Sequence, residues 1–281
     1  MAHFRAYPSL VSSGRPEEIH FAPPQGRPLG VTPVFKIVAF FLRPLLNLIV
    51  KKDWRGGKLI PASGGAIVVC NHISYLDPLT FTHFLYNHGR APRYLGKKAV
   101  FDTPVVGWVV KAAGQIPVER ESQGASQAFR VAAAALRAGH LIGIYPEGTL
   151  TRDENLWPMS AKTGAARLAL MTGVPLIPCA SWGPEKVIPR YGRRIKLFPR
   201  TRVSIIVGDP VDLSQWRGRE SDPDALQEAT NHIMDRMTAL LEELRGESAP
   251  AVRFDARSSD LPRTGNFLKG EGRKRSRWRR G

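Results

Sequence analysis

Between residues 58 and 246 the chain alternates short apolar runs with stretches of helical periodicity. No other feature restricts the fold as much. Apolar runs at 66–70 (AIVVC), 93–95, 115–118, 141–145 (LIGIY), 176–180 and 202–207 (RVSIIV) have the length and composition of strands. Helical patterns cover 78–87, 104–113, 123–138, 161–172 and 222–245. In the last of these Leu226, Ala229, Ile233, Met237, Leu240, Leu241 and Leu244 recur on one face. Strands alternating with helices predict an α/β fold, a sheet with helices on its faces. No internal repeat is present.

Four segments follow: a mobile arm at 1–30, an apolar helical segment at 31–57, the α/β domain at 58–246 and a polybasic tail at 247–281, read as disordered. The arm is rich in Pro and Gly and has no apolar stretch of the kind a secretory leader needs. The apolar segment, VFKIVAFFLRPLLNLIV at 34–50, is interrupted by Lys36, Arg43, Pro44 and Asn47. It falls short of the roughly 20 apolar residues that a spanning helix requires. Two readings stay open. One is an interfacial helix with Phe35, Phe40, Phe41, Leu45 and Ile49 in lipid and Lys36 and Arg43 at head groups. The other is an ordinary buried helix, broken or kinked at Pro44.

The formal net charge of +17 must meet something anionic: nucleic acid, a membrane surface or a phosphorylated substrate. Residues 251–281 hold ten basic side chains against three acids, a net +7, ending in GRKRSRWRR. Such a run binds anionic lipid or, by the same electrostatics, nucleic acid without specificity. The chain lacks the aromatic-interleaved strands of an RNA-binding sheet and any zinc-finger spacing. Two cysteines, Cys70 and Cys179, exclude a disulfide framework and a Cys-rich zinc site, and they fit a reducing compartment.

The run AIVVCNHISYLDPLTF at 66–81 carries the most chemistry. A strand ends in Asn71-His72, and five residues on, Asp77-Pro78 opens a helical run. Asp77 reads as the helix N-cap, with 71–76 as the loop over the strand's carboxyl end, where α/β sheets bind ligands. His72 and Asp77 meet only if this loop curls back. If they do, His72 is a general base whose tautomer the carboxylate fixes. No G-x-S-x-G elbow exists, so the substrate would supply the hydroxyl. The plainer alternative is a capping Asp and a His that merely satisfies a loop. Cys70, two residues before His72, suggests a Cys–His nucleophile, but the end of an apolar strand suits an inert thiol better. His83 and His88 are spaced five apart, which does not suit a metal-binding helix.

A second loop, YPEGTLTRD at 145–153, follows another strand. Its turn brings Glu147, the N–H groups around Gly148 and Thr149, and Arg152 to the edge where His72 sits. Exposed N–H groups with a cation suit a phosphate or an oxyanion, or else this is a simple strand-to-helix turn. Lys97, Lys98 and Arg120 are further cations able to clamp a phosphate, or solvated surface charges.

In order and spacing these runs resemble the glycerolipid acyltransferases, specifically the 1-acylglycerol-3-phosphate acyltransferases. NHISYLD at 71–77 is similar to their N-H-x-x-x-x-D block and GQIPVER at 114–120 to G-x-I-x-V-x-R. YPEGTLT at 145–151 is similar to [FY]-P-E-G-T-R-S and VPLIPCA at 174–180 to the V-P-[IL]-[IV]-P-V run. KTGAARLAL at 162–170 also resembles a helix of many relatives. The likeness covers 58–210 and leaves out both arms. It departs at Leu150, where the family carries Arg, and at Cys179, where Val is common. Lys98 matches the family's K-x-x-[LV]-F pattern.

The resemblance implies a mixed sheet of the acyltransferase type with an N-terminal membrane-associating helical segment. It implies that His72 deprotonates the sn-2 hydroxyl of a lysophosphatidate and that Asp77 orients His72. Acceptor binding falls to Arg120, Glu147, Gly148, Thr149, Lys98 and Arg152. The acyl donor is a thioester of coenzyme A or acyl carrier protein, used as a co-substrate, and neither metal nor prosthetic group is needed. Implied partners are an anionic membrane surface, lysophosphatidate and acyl carrier protein as donor, with no specific nucleic acid. The expected location is the cytoplasmic face of the plasma membrane, peripheral or monotopic. Other lysolipids or glycerol 3-phosphate stand as alternative acceptors, and a basic nucleic-acid-binding protein as the remote alternative.

Overall fold

The structure, a computed structural model, describes residues 19–118, 123–192, 194–256, 258 and 266. In chain order the elements are α1 (Pro33–Ile49), β1 (Val50–Arg55), β2 (Ala66–Cys70), α2 (Asp77–Asn87), β3 (Pro92–Lys97), α3 (Lys98–Phe101), α4 (Val106–Ala112), β4 (Ile116–Val118), α5 (Gln123–Arg137), β5 (Leu141–Ile144), α6 (Gly164–Thr172), β6 (Leu176–Trp182), α7 (Pro184–Val187), β7 (Thr201–Val207) and α8 (Pro223–Arg245). Among the described residues the strands form one seven-stranded sheet in the order β1-β7-β6-β2-β5-β3-β4. The five strands from β6 to β4 run parallel. β7 is antiparallel to β6 and β1 is parallel to β7, so the sheet is mixed.

β2 lies at the centre, and every one of its residues is buried. The period of two sends Ile67 and Val69 to one face, where they pack with the α5, α6 and α8 side chains Ala132, Leu168 and Ile233. Val68 and Cys70 face the other side, with Leu46 of α1 and Phe81, Phe84 and Leu85 of α2. A strand covered on both faces needs an unbroken apolar run, which is what AIVVC supplies. Each such side chain contributes about 1.5–3 kcal/mol on burial. Local signals set the ends of the longest helix. Asp222 Oδ1 accepts from the N–H groups of Asp224 and Ala225, Pro223 takes the first helical position, and Gly246 closes it at φ +67°.

Two expectations differ from the structure. β1, the charged run VKKDWR, gives no alternating pattern, yet it pairs with β7 from Val50↔Thr201 to Arg55↔Ile206. It is an edge strand, and its partner supplies the hydrogen bonds that its sequence does not advertise. Asp77 is not the N-cap. Leu76 holds that position without a side-chain cap, and Asp77 begins the helix with its carboxylate turned back into the loop. The helix α1 continues through Pro44. His83 and His88 stand around the Trp54 ring, and burial lowers the His83 imidazole to about 4.

The chain beyond both expected domain limits touches the body. Leu29 bridges to Arg90, and the Ala22 carbonyl meets His140 Nε2 at 3.0 Å. At the other end, the Ser160 N–H donates to the Phe254 carbonyl and Ala256 N–H to Ser160 Oγ. The polybasic run at 273–280 lies outside the described residues.

Arg90 is 1% exposed and donates to three carbonyls, those of Pro61, Gly64 and Gly139. It thereby ties together the loops that enter β2 and β5. Arg90→Leu leaves three acceptors without a donor, and a cost of at least about 3 kcal/mol is expected. Urea unfolding measures it; an unchanged midpoint would remove Arg90 from this role.

Candidate active site

β2 and β5 are parallel neighbours, so the loops that leave them emerge side by side at the carboxyl edge of the sheet. The loop after β2 holds His72 and curls back onto the first turn of α2. Asp77 Oδ2 accepts the Ile73 N–H at 2.6 Å and the Ser74 N–H at 2.8 Å, and it meets His72 Nδ1 at 2.9 Å. Asp77 is buried, whereas the His72 side chain keeps 16% of its surface in solvent. With Nδ1 turned to a carboxylate, Nε2 is the ring nitrogen left to accept a proton. Tyr145 stacks on the imidazole at 4.3 Å between ring centroids and fixes its plane.

The loop after β5 grips His72 by its backbone. Glu147 Oε1 accepts the His72 N–H at 3.1 Å, and the Thr151 N–H donates to the His72 carbonyl at 2.7 Å. The other Glu147 oxygen accepts the Met159 N–H at 3.1 Å. Glu147 is buried, so its carboxylate serves the backbone instead of opening to a ligand. Gly148 turns the loop at φ +70°, a left-handed conformation that favours glycine, and its N–H closes onto the Tyr145 carbonyl. Asn71 joins the same edge to β6, giving and taking hydrogen bonds with the Ser181 backbone.

The expected cations are spread along this edge. Lys98 opens α3 at the end of β3, exposed and two strands from β2, about 10 Å away at ordinary strand spacing. Arg152 is buried at the rim, where its charge acts on the Tyr191 phenol. Thr149 is half-buried and hydrogen-bonded to the same Tyr191. Arg120 lies outside the described residues, two positions past the end of β4. Leu150, at the family's Arg position, is buried.

Two residues enter that sequence reasoning passed over. Arg190 reaches across from the segment after α7 and donates to the Thr151 and Asp153 carbonyls, bracing the second loop. Nothing local marks it, because its partners lie far along the chain. Lys162 rests its side chain against Gly148, with Cε 3.2 Å from where a Cβ would stand. Its signal is the KTGAARLAL run at 162–170, whose first residue it is. Cys70 is buried at the end of β2, and burial pushes its thiol far up. A thiolate nucleophile beside His72 is thereby disfavoured.

Residues 53–182 match the family model described as Acyltransferase. Over these residues, a little under half of its length, the chain is similar to that family. A 1-acyl-sn-glycerol-3-phosphate acyltransferase of Bacillus subtilis (strain 168) is 28% identical over 222 residues, covering 75% of this chain and all of that one. The chloroplastic enzyme BAT2 of Brassica napus, named for the same reaction, is 31% identical over 168 residues. There the chain spans 47% of the relative's length. The crystal structure of the 1-acyl-sn-glycerophosphate (LPA) acyltransferase PlsC from Thermotoga maritima matches with a TM-score of 0.57, over 77% of this chain and 81% of that one. At 24% identity that likeness is one of fold. The acyltransferase match ends at the last residue of β6, so it takes in both loops at the carboxyl edge but not β7.

Burial raises the Glu147 carboxyl from its ordinary 4.5 to about 8, against the pull of the Met159 and His72 N–H groups. A folded pKa above the unfolded one means that folding takes up a proton between those values. The stability tied to this proton is complete below about 4.5 and is lost as the pH rises through about 8. The melting temperature of wild type relative to Glu147→Gln should therefore fall between pH 5 and pH 9. A difference that does not move with pH would mean that Glu147 ionises in the ordinary range.

Proposed function

We propose that this acyltransferase moves an acyl group from a thioester to the sn-2 hydroxyl of 1-acylglycerol-3-phosphate and so makes phosphatidic acid. The observation that carries the reading is the 2.9 Å contact of His72 Nδ1 with the buried Asp77, in a loop whose backbone the second loop holds. The printed names of the Bacillus and Brassica relatives support the choice of acceptor.

The steps follow from that geometry. His72 Nε2 takes the hydroxyl proton as the oxygen attacks the thioester carbonyl. Asp77 holds the imidazolium that forms. The tetrahedral intermediate collapses, the C–S bond breaks, and the leaving thiolate takes the proton back from His72. The products are the new ester and a free thiol, carried by coenzyme A or acyl carrier protein. Arg120 holds the acceptor phosphate, with Lys98 and Arg152 as further cations and Gly148 and Thr149 shaping the pocket. Glu147 contributes by positioning, through the backbone of His72.

The acceptor is an amphiphile, and the same reading makes α1 the element that meets the bilayer. Among the described residues no helix is long and apolar enough to cross a membrane. α1 buries Phe35, Ala39, Leu46 and Ile49 inward and leaves Phe40 at 73% and Phe41 at 69% exposure on its outer side, with Leu45 and Leu48. A helix that is apolar on both sides with only one side buried suits the head-group boundary of an anionic membrane, here its cytoplasmic face.

His72→Ala should cost at least 10³-fold in thiol release from acyl-CoA with 1-acylglycerol-3-phosphate, with the circular dichroism spectrum unchanged. Activity within tenfold of wild type, about 1.4 kcal/mol of barrier, would remove His72 as the base. Arg120→Ala should raise the acceptor's KM with little effect on kcat. An unchanged KM would take Arg120 away from the phosphate.

A further inference from the structure

The segment between α7 and β7 is left over by the catalytic reading. From Lys186 to Gly208 the sequence holds no acid, but it holds Arg190, Arg193, Arg194, Lys196, Arg200 and Arg202. Residues 194–200 are all exposed, and three of them are large and apolar: Ile195 at 59%, Leu197 at 41% and Phe198 at 63%. These alternate with Arg194, Lys196 and Arg200. An alternation of grease and positive charge in a surface loop makes no core contact and gains nothing in water. It matches the head-group region of an anionic bilayer, with apolar side chains below the phosphates and cations among them.

The topology puts this loop beside α1 and on the catalytic edge. β7 runs antiparallel to β6, so its first residues lie next to the carboxyl end of β6, where Trp182 pairs with Ser204. β1 runs parallel to β7 with Val50 opposite Thr201, so the end of α1 and the end of the loop enter the sheet side by side. Arg200 fastens them, donating to the Asn47 carbonyl at 2.7 Å and the Val50 carbonyl at 2.9 Å at the C-terminus of α1. At its start the loop is tied to the site. The Ser74 hydroxyl, in the His72 loop, donates to the Ile188 carbonyl at 2.7 Å, and Arg190 braces the Thr151 carbonyl.

We propose that residues 194–200 are a second lipid-docking element, which enters an anionic bilayer beside the C-terminal half of α1 and holds the His72 edge against the membrane. This rests on the reading of α1 as an interfacial helix and extends it to a segment with no apolar helix of its own. It gives the acceptor a short path, because both docking elements and the base lie on one edge of the sheet.

The test uses the full chain and vesicles of phosphatidylglycerol and phosphatidylcholine. Ile195→Ser/Leu197→Ser/Phe198→Ser should weaken vesicle co-sedimentation at least tenfold. Thiol release with detergent-dispersed acceptor should stay within twofold of wild type. Unchanged co-sedimentation overturns the proposal. A second measurement does not depend on the triple variant folding. Cys70 and Cys179 are buried, so Phe198→Cys can be labelled selectively with an environment-sensitive fluorophore. Its emission should shift to the blue on anionic vesicles, and emission that does not move overturns the proposal. If wild type fails to acylate lysophosphatidate while the label still shifts, the acceptor assignment falls and the docking loop stands.

Discussion

One buried carboxylate joins the two loops on which the site is built. Glu147 accepts the N–H of His72 with one oxygen and that of Met159 with the other. The first bond crosses from the loop after β5 to the loop after β2. The second ties the start of its own loop to that loop's far end. Without it the backbone N–H of His72 would lose its partner, and the loop from Pro146 to Met159 would lose a tie across its ends. The cost of burying that carboxyl shows in its raised pKa. The free energy is spent on placement: the Glu147 bond sets the main chain from which the His72 ring projects.

The Asp77 carboxylate is used in the same way at shorter range. Three N–H groups converge on one of its oxygens, two from backbone and one from the imidazole. The backbone pair turns the loop, and the turn delivers the ring. Orientation of the imidazole and folding of the loop are therefore a single event, and any change at Asp77 acts on both. Tyr145 closes the remaining freedom by stacking on the ring.

The reversal of β7 decides which segments share the His72 edge. A fully parallel sheet would send the start of its last strand to the edge opposite His72. Because β7 and β1 run the other way, α1 and the loop 194–200 finish at the edge where His72 stands. The described cations at the His72 edge include Lys98, Lys162, Arg194, Lys196 and Arg200.

Much of this was legible in the chain. The apolar run of β2, the Asp-Pro start of α2, the Pro-Glu-Gly turn and the ordered blocks are local in sequence, and their consequences are local in space. The sequence by itself determined the strand and helix alternation, the likeness to the acyltransferases, and the placing of His72 and Asp77 in one loop at a strand's end; that the loop curls back to join them is seen only in the fold. Tertiary structure alone decided the rest. It paired the charged β1 with β7, buried Glu147 against backbone instead of substrate, brought Arg190 under the second loop, and set the loop 194–200 beside α1. Each of these joins segments far apart in the chain, and such contacts are chosen by packing of the whole sheet, which no short run of residues encodes.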